Sequence, residues 1–278
     1  MFDGISRSDP GPSLERTHGT VRLGFRRRDD RTALSHLYQA GAGKARFPRV
    51  EPGLPPEAVL INTAGGLTGG DRLTVDVAIE SDAMATVTTQ ACERIYRSAG
   101  NEARVETCLS VGQNATLHWL PQETILFDRS QLRRHLDIDL RPQSRLLAIV
   151  GIVFGRRAMG ESVREAAFRD SWRVRRDGKL IFADGARFSG GVGAMLSRPA
   201  LLGGNGAYAT LLMVDPDVGQ RLGMLRSSLP ETGVGASVWD GMLVARIVAE
   251  TGQALRRLLV AALTCLRDGA PLPRVWNC

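Results

Sequence analysis

The chain has 278 residues, of which 43% are hydrophobic and 23% charged; this is ordinary globular usage, and a folded monomer of this length hides roughly 70 to 75% of the surface its unfolded chain exposes, so neither intrinsic disorder nor dependence on a disulfide or metal staple is expected. The 36 basic residues exceed the 29 acidic ones by a formal +7, and with Lys44 and Lys179 as the only lysines the excess is carried by arginine, whose rigid fork engages carboxylates and phosphates. The arginines fall in short separated groups (residues 26–28, 133–134, 156–157, 175–176 and 256–257), without the long run, aromatic interleaving or helical stripe of a nucleic-acid binder, so no nucleic-acid partner is expected.

Residues 1–19 lack the apolar stretch of a signal peptide. They form a flexible polar lead-in to one domain over 20–278, in a protein expected to be cytoplasmic with reduced thiols. From residue 20 to about 243 the dominant period is two. Leu73, Val75, Val77 and Ile79 alternate with Thr74, Asp76, Ala78 and Glu80, giving a strand with one apolar and one polar face. Residues 84–90, rich in Thr and Val, suit a pleated surface. Ala103, Val105, Leu109 and Val111 repeat the alternation, and residues 115–120 are strand-like. The longest apolar run, residues 146–154, is far short of the roughly 20 residues that span a bilayer and reads as a buried strand, so no membrane partner is expected. Asp177-Gly178 and Asp240-Gly241 are tight hairpin turns. Glycine pairs at 65–66, 69–70, 190–191 and 203–204 punctuate a many-stranded β structure in which no fixed repeat length is visible.

Helical spacing is weak at residues 220–227 and strong near the end. After Thr251, an N-cap residue type, Leu255, Leu258, Leu259, Ala262 and Leu266 form one stripe of a helix over about 251–267, stopped by Asp268-Gly269. Val260, Ala261 and Leu263 lie off the stripe, which calls for burial on two sides or for a covering partner.

Motifs that carry chemistry are sparse. The stretch 64–72, AGGLTGGDR, lacks the Lys and hydroxyl of a phosphate loop and precedes a strand, so a tight turn with close backbone approach is expected. The cysteines, Cys92, Cys108, Cys265 and Cys278, are far apart with no C-x-x-C pair, which leaves a structural zinc site unsupported. His118 reads as a structural histidine and Cys92 as a small buried residue. Glu123 with Asp128, and Asp137 with Asp139, are carboxylate pairs placed in strands. A carboxylate site around Glu123 and Asp128 supports an alternative reading, an enzyme of unspecified type.

The segments AVLINTAGGLTGGDRLTVDV (58–77), ATVTTQACERIYRSAG (85–100), LHWLPQETILFDRS (117–130), GRRAMGE (155–161) and LPRVW (272–276), in this order and spacing, resemble the urease accessory protein family called UreD or UreH, over residues 20–276. Two departures are mild: Asn-Thr-Ala precedes Gly65 where many members have a proline, and Arg94 stands where lysine is usual. The resemblance implies a non-enzymatic scaffold with a predominantly β, β-helix-like fold and a few helices. It also implies binding to an all-helical accessory protein (UreF type) that recruits a GTPase (UreG type), and docking on apo-urease so that nickel reaches a buried dinuclear site. No cofactor is then tightly bound, and nickel is at most in transit. Nickel accepts carboxylate and imidazole ligands, and the matched segments contain Asp71, His118, Glu123 and Asp128. Asp71, Glu123 and, in a looser match, Asp184 are taken as lining a polar passage. The competing reading is that Asp71 caps a glycine turn and Glu123 pairs with an arginine. The helix 251–267 and the tail are taken as the docking site for the helical partner, with Arg256, Arg257 and Trp276 as contact residues.

Overall fold

In the computed structural model, which describes residues 15–155 and 160–277, the alternating segments form strands as expected. The greater part of the lead-in, Arg156, Arg157 and Cys278 lie outside the described residues. Strand β1 (His18–Arg28) starts two residues before Thr20 and turns back into β2 (Arg31–Gly41), and β3 (Gly43–Arg46) pairs antiparallel with β4 (Glu57–Asn62). The chain then coils. It runs through β5 (Arg72–Ile79), β6 (Met84–Thr89) and the short β7 (Glu93–Ile95). A second coil follows through β8 (Ala103–Val111), β9 (Thr116–Leu120) and β10 (Thr124–Leu126). A third starts with β11 (Ser130–Leu140) and β12 (Arg145–Phe154) and leads to β13 (Glu165–Arg176). Equivalent strands of successive coils pair in parallel: β5 with β8, β8 with β11, β11 with β13, and likewise β6, β9 and β12.

This is a β-solenoid-like arrangement without a sequence repeat, because the coils differ in length. Arg72 pairs with Arg104, Ala103 with Leu132, and Ser130 with Ala166. Antiparallel strands finish both sheets. β13 turns through Asp177 and Gly178, both at positive φ (50° and 79°), into β14 (Lys179–Gly191), as the primed hairpin turns require. After helix α1 (Val192–Leu196) come β15 (Ala207–Val214), helix α2 (Val218–Ser228), β16 (Val234–Trp239) and β17 (Met242–Ala249), then helix α3 (Gly252–Leu266) and a last 3-10 turn at Arg274–Asn277. The result is a seven-stranded sheet, ordered β14-β13-β11-β8-β5-β1-β2, facing a ten-stranded one.

The central strands of the ten-stranded sheet are buried on both faces, which explains the unbroken apolar run of β12. Leu146, Ala148, Val150, Ile152 and Phe154 pack toward the seven-stranded sheet. Leu147 and Ile149 pack against the layer formed by α2, α3 and the tail. Period two persists, but both phases are apolar. In the glycine-rich loop ahead of β5, a Cβ on Gly66 would stand 2.5 Å from the Tyr96 ring and 2.7 Å from the Arg94 carbonyl oxygen, so the glycine permits the close backbone approach expected there.

Helix α3 is capped as its sequence requires, the Thr251 hydroxyl accepting from the Ala254 N–H at 3.1 Å. Leu255, Leu259, Ala262, Leu263 and Leu266 are buried, while Leu258, Val260 and Ala261 are partly covered. The sheet-to-helix core depends on such contacts, so Ile149→Ala should lower unfolding free energy by about 2–5 kcal/mol. Chemical denaturation should show a lower midpoint at unchanged slope, whereas Asp139→Asn, on the exposed face of β11, should leave the midpoint within error.

Candidate functional site

The segments TTQACERI and WLPQETIL occupy equivalent corners of neighbouring coils, and their polar side chains hold the corners together. The Gln122 amide donates to the carbonyls of Thr89 (3.1 Å), Gln90 (2.9 Å) and, in the C-terminal tail, Val275 (3.0 Å). The Trp276 indole N–H is shared between the Thr88 hydroxyl (3.1 Å) and the Leu120 carbonyl (3.2 Å). From α3, the Arg256 guanidinium donates to Gln122 Oε1 at 2.7 Å and to both Glu123 oxygens, and lies 5.1 Å above the Trp276 ring, a cation–π distance. Gly151 makes room for this carboxylate, since a Cβ there would stand 3.0 Å from Glu123 Cγ. Cys92 Sγ sits 3.4 Å from Glu123 Oε2. Burial first, and the Glu123 charge second, push its thiol up to about 11, so it stays protonated at neutral pH.

Inside these corners, between the two sheets, lies a cavity of about 320 Å³. Its wall is largely apolar, with polar groups from Asn62, Glu93, Thr124 and Arg134. Burial raises the Glu93 carboxyl to about 7, against the opposing hydrogen bond from the Asn62 amide (3.0 Å). Arg134 forms a two-pronged pair with buried Asp170 (2.9 and 2.7 Å) and donates to Thr124 Oγ1 at 3.1 Å. The buried Tyr208 hydroxyl makes no hydrogen bond to described residues, and desolvation with nearby Asp170 raises its pKa. The ion pair of Asp184 and Arg246 (2.7 Å) is bridged by the Thr210 hydroxyl, two residues beyond Tyr208 on the same face of β15, and so continues this polar line.

The structure thus joins Glu123, Arg256 and Trp276 in one intramolecular clamp, with Trp276 buried and Arg257 exposed. Asp71 lies elsewhere. It is buried in the glycine loop, its two oxygens accepting from the backbone N–H groups of Thr17 and Thr68, both at 2.8 Å. Asp184 faces the interior beside Thr210. Of the carboxylates expected in strands, Asp137 and Asp139 lie in β11, but β10 spans only Thr124–Leu126, so Glu123 and Asp128 flank it. Asp128 accepts from the backbone N–H groups of Glu165 (3.0 Å) and Arg164 (2.7 Å), which lower its pKa, so the two acids have separate partners. His118 accepts from Arg267 Nε at 3.2 Å, and burial followed by the Arg267 charge lowers it to about 3. It is neutral and structural. Glu93, Arg134, Asp170 and Tyr208 were not singled out from sequence. The signal was present for two of them: Arg134 interrupts Leu132 and Leu136, and Asp170 interrupts Phe168 and Trp172, at inward positions of adjacent strands. Among the described residues no group of three or more His, Cys, Asp or Glu side chains converges as a metal site, and no helix is long and apolar enough to cross a membrane.

Residues 17–277 match the family model of the UreD urease accessory protein. A urease accessory protein UreD of Rhizobium leguminosarum bv. trifolii is 48% identical over 267 residues, covering 96% of this chain and 97% of the relative. The urease accessory protein UreD 1 of Brucella suis biovar 1 is 49% identical over 271 residues, covering 96% of each. A third UreD, from Rhizobium etli, is 47% identical over 263 residues, covering 95% and 96%.

Two outcomes test the geometry. Glu123→Gln strands the Arg256 charge, so stability should fall by roughly 3–5 kcal/mol. The double variant Glu123→Gln with Arg256→Met should recover part of that loss in a double-mutant cycle, and strictly additive losses would show that the pair is uncoupled. Glu93 has its folded pKa raised above its value in the unfolded chain, so the native state holds the extra proton; its stabilisation is complete below about pH 4.5 and is lost as pH rises toward 7. Glu93→Gln should therefore flatten the stability profile between those values and make the variant the more stable protein at pH 8, as read by thermal melting across pH.

Proposed function

The chain belongs to the UreD urease accessory protein family, and from that premise we propose that it is a maturation scaffold. In this reading it binds a helical accessory protein, engages an accessory GTPase through it, and docks on apo-urease while nickel is delivered. The observation that carries the reading is the match of residues 17–277 to the UreD urease accessory family, with relatives aligned over about 96% of the chain.

The geometry is compatible with a scaffold that passes a metal on and does not keep it. A cavity of about 320 Å³ has room for on the order of ten waters at about 30 Å³ each, so a hydrated divalent ion fits without being stripped. Glu93, which ionises near neutrality, and Asp184 at the far end of the polar line are the groups we assign to that transit. Glu123 acts beside the cavity by holding α3 in place. Asp71 acts by fixing the glycine loop to the chain that enters β1. Within the C-terminal helix the exposed Arg257 is the side chain placed to meet a partner. Arg256 and Trp276 act on docking indirectly, by positioning the helix that presents Arg257.

The discriminating measurement is urease activation in cells that express apo-urease with its accessory proteins and nickel. Omission of this chain should abolish nickel-dependent urease activity, and adding it back should restore activity. Full activity without it, or turnover of a substrate by the isolated chain, would overturn the scaffold reading.

A further inference from the structure

The outer face of the seven-stranded sheet carries a feature that the register alone creates. His18 pairs with Arg72, Arg72 with Arg104, Arg104 with Arg133, Arg133 with Arg169, and Arg169 with Arg187. Paired residues share a face. Their sequence neighbours Leu73, Ala103, Leu132 and Phe168 belong to the core, so this basic row crosses six strands on the side away from it. Arg72 and Arg187 are exposed, and Arg104, Arg133 and Arg169 are half-buried.

Like charges directly opposite one another destabilise a sheet, so such a row is not explained by the stability of the fold. Only Arg104 and Arg133 meet a carboxylate, both at Glu102 (3.4 and 2.9 Å). Arg72, Arg169 and Arg187 form no ion pair among the described residues. A hollow of about 540 Å³ opens along the row, lined by Arg72, Arg104, Gln131 and the loop residues Gly70, Gly100 and Asn101 beside Glu102. The rows that follow on the same face are mixed in charge: Asp76 pairs with Arg22 (3.0 Å) and Asp137 with Arg175 (3.3 Å), while exposed Glu106 and Asp139 form no ion pair among the described residues.

We propose that this arginine row docks the acidic face of an α-helix from a partner protein. The spacing fits. Rungs lie about 4.8 Å apart, and acidic side chains three or four residues apart on a helix rise about 4.5–6 Å. Five intervals span about 24 Å, the length of roughly 16 helical residues. The unpaired carboxylates beside it disfavour a nucleic acid, whose phosphates would meet Glu106 and Asp139, and suit a helix whose charge lies on one face. This docking surface lies on the opposite layer from α3 and stands independently of the maturation reading.

The full-length chain is tested by fluorescence anisotropy at low salt against three labelled probes of about 18–20 units, the span of the row. These are an alanine-rich helical peptide with glutamates on one face, a peptide of the same composition with its glutamates spread around the helix, and a single-stranded oligodeoxynucleotide. The one-faced peptide should bind at least about fivefold more tightly than the spread one, and its affinity should fall as salt rises. Arg72→Glu with Arg169→Glu should weaken it about tenfold or more, whereas Arg26→Glu with Arg27→Glu, matched in net charge, should change it less than about twofold. Each reversed side chain sits between basic neighbours, so the double variant should keep the wild-type denaturation midpoint. A clearly lower midpoint would mark the row as structural and count against docking. Equal binding of the two peptides, equal loss in both variants, or row-dependent binding of the oligonucleotide tighter than that of the peptide would each overturn the proposal.

Discussion

Parallel register between successive coils is the constraint on which the rest of this molecule depends. Each strand of the seven-stranded sheet repeats the inward and outward phases of its neighbour, so side chains stack in rows along the solenoid. One row reads Val77, Leu109, Ile138 and Val174, buried throughout. Two rows nearer the strand starts, the inward side chains are Leu73, Val105, Arg134 and Asp170. There the apolar pair is continued by a buried ion pair, which is a device for specificity more than for stability. If β13 slipped by two residues, Arg134 would stand opposite Phe168 or Trp172, and two charges would be buried without partners. The corners obey the same rule, with Thr88, Gln122 and Leu120 bonding coil to coil and the tail closing over them through Trp276.

Local features of the chain were legible in the sequence because their causes are local. The alternation of Leu73 to Ile79, the two Asp-Gly turns and the Thr251 cap each act within a few residues, and each appears where its chemistry puts it. The solenoid, which the family resemblance implied, was hidden from the residue pattern because its coils are unequal: a repeat in space need not be a repeat in sequence when the corner loops absorb the difference. The two-sided burial of β12 was visible as an apolar run, but not the identity of the layers on either side.

The site was legible only in part, for a different physical reason. Asp71 and Glu123 stand out as isolated acids in distinctive segments, and both prove to be buried and bonded. Glu93 looked like an ordinary member of a polar turn, and its raised pKa comes from the cavity wall that other coils supply. Arg256 was assigned to a surface from a helical pattern that cannot distinguish an outward arginine from one snorkelling across a sheet edge to an acid more than a hundred positions away. The excess of arginine has the same history. Separated along the chain, Arg72, Arg104, Arg133 and Arg169 lie side by side once the register aligns them.

That alignment separates the surfaces by layer. The central strands of the ten-stranded sheet are covered on one side by the seven-stranded sheet and on the other by α2, α3 and the tail, which closes their faces, while β16 at the edge stays half exposed. Two broad surfaces outside these layers are the outer face of the seven-stranded sheet, with its basic row, and the outward side of α3, with Arg257. These lie on opposite sides of the molecule, and the cavity and its polar line run between them. If both proposed surfaces bind, their partners would not compete for area. Each surface is also tied to the interior by charge: α3 adds the pair of Arg256 with Glu123 to its buried leucines, and β13 adds the pair of Asp170 with Arg134 to Phe168 and Trp172.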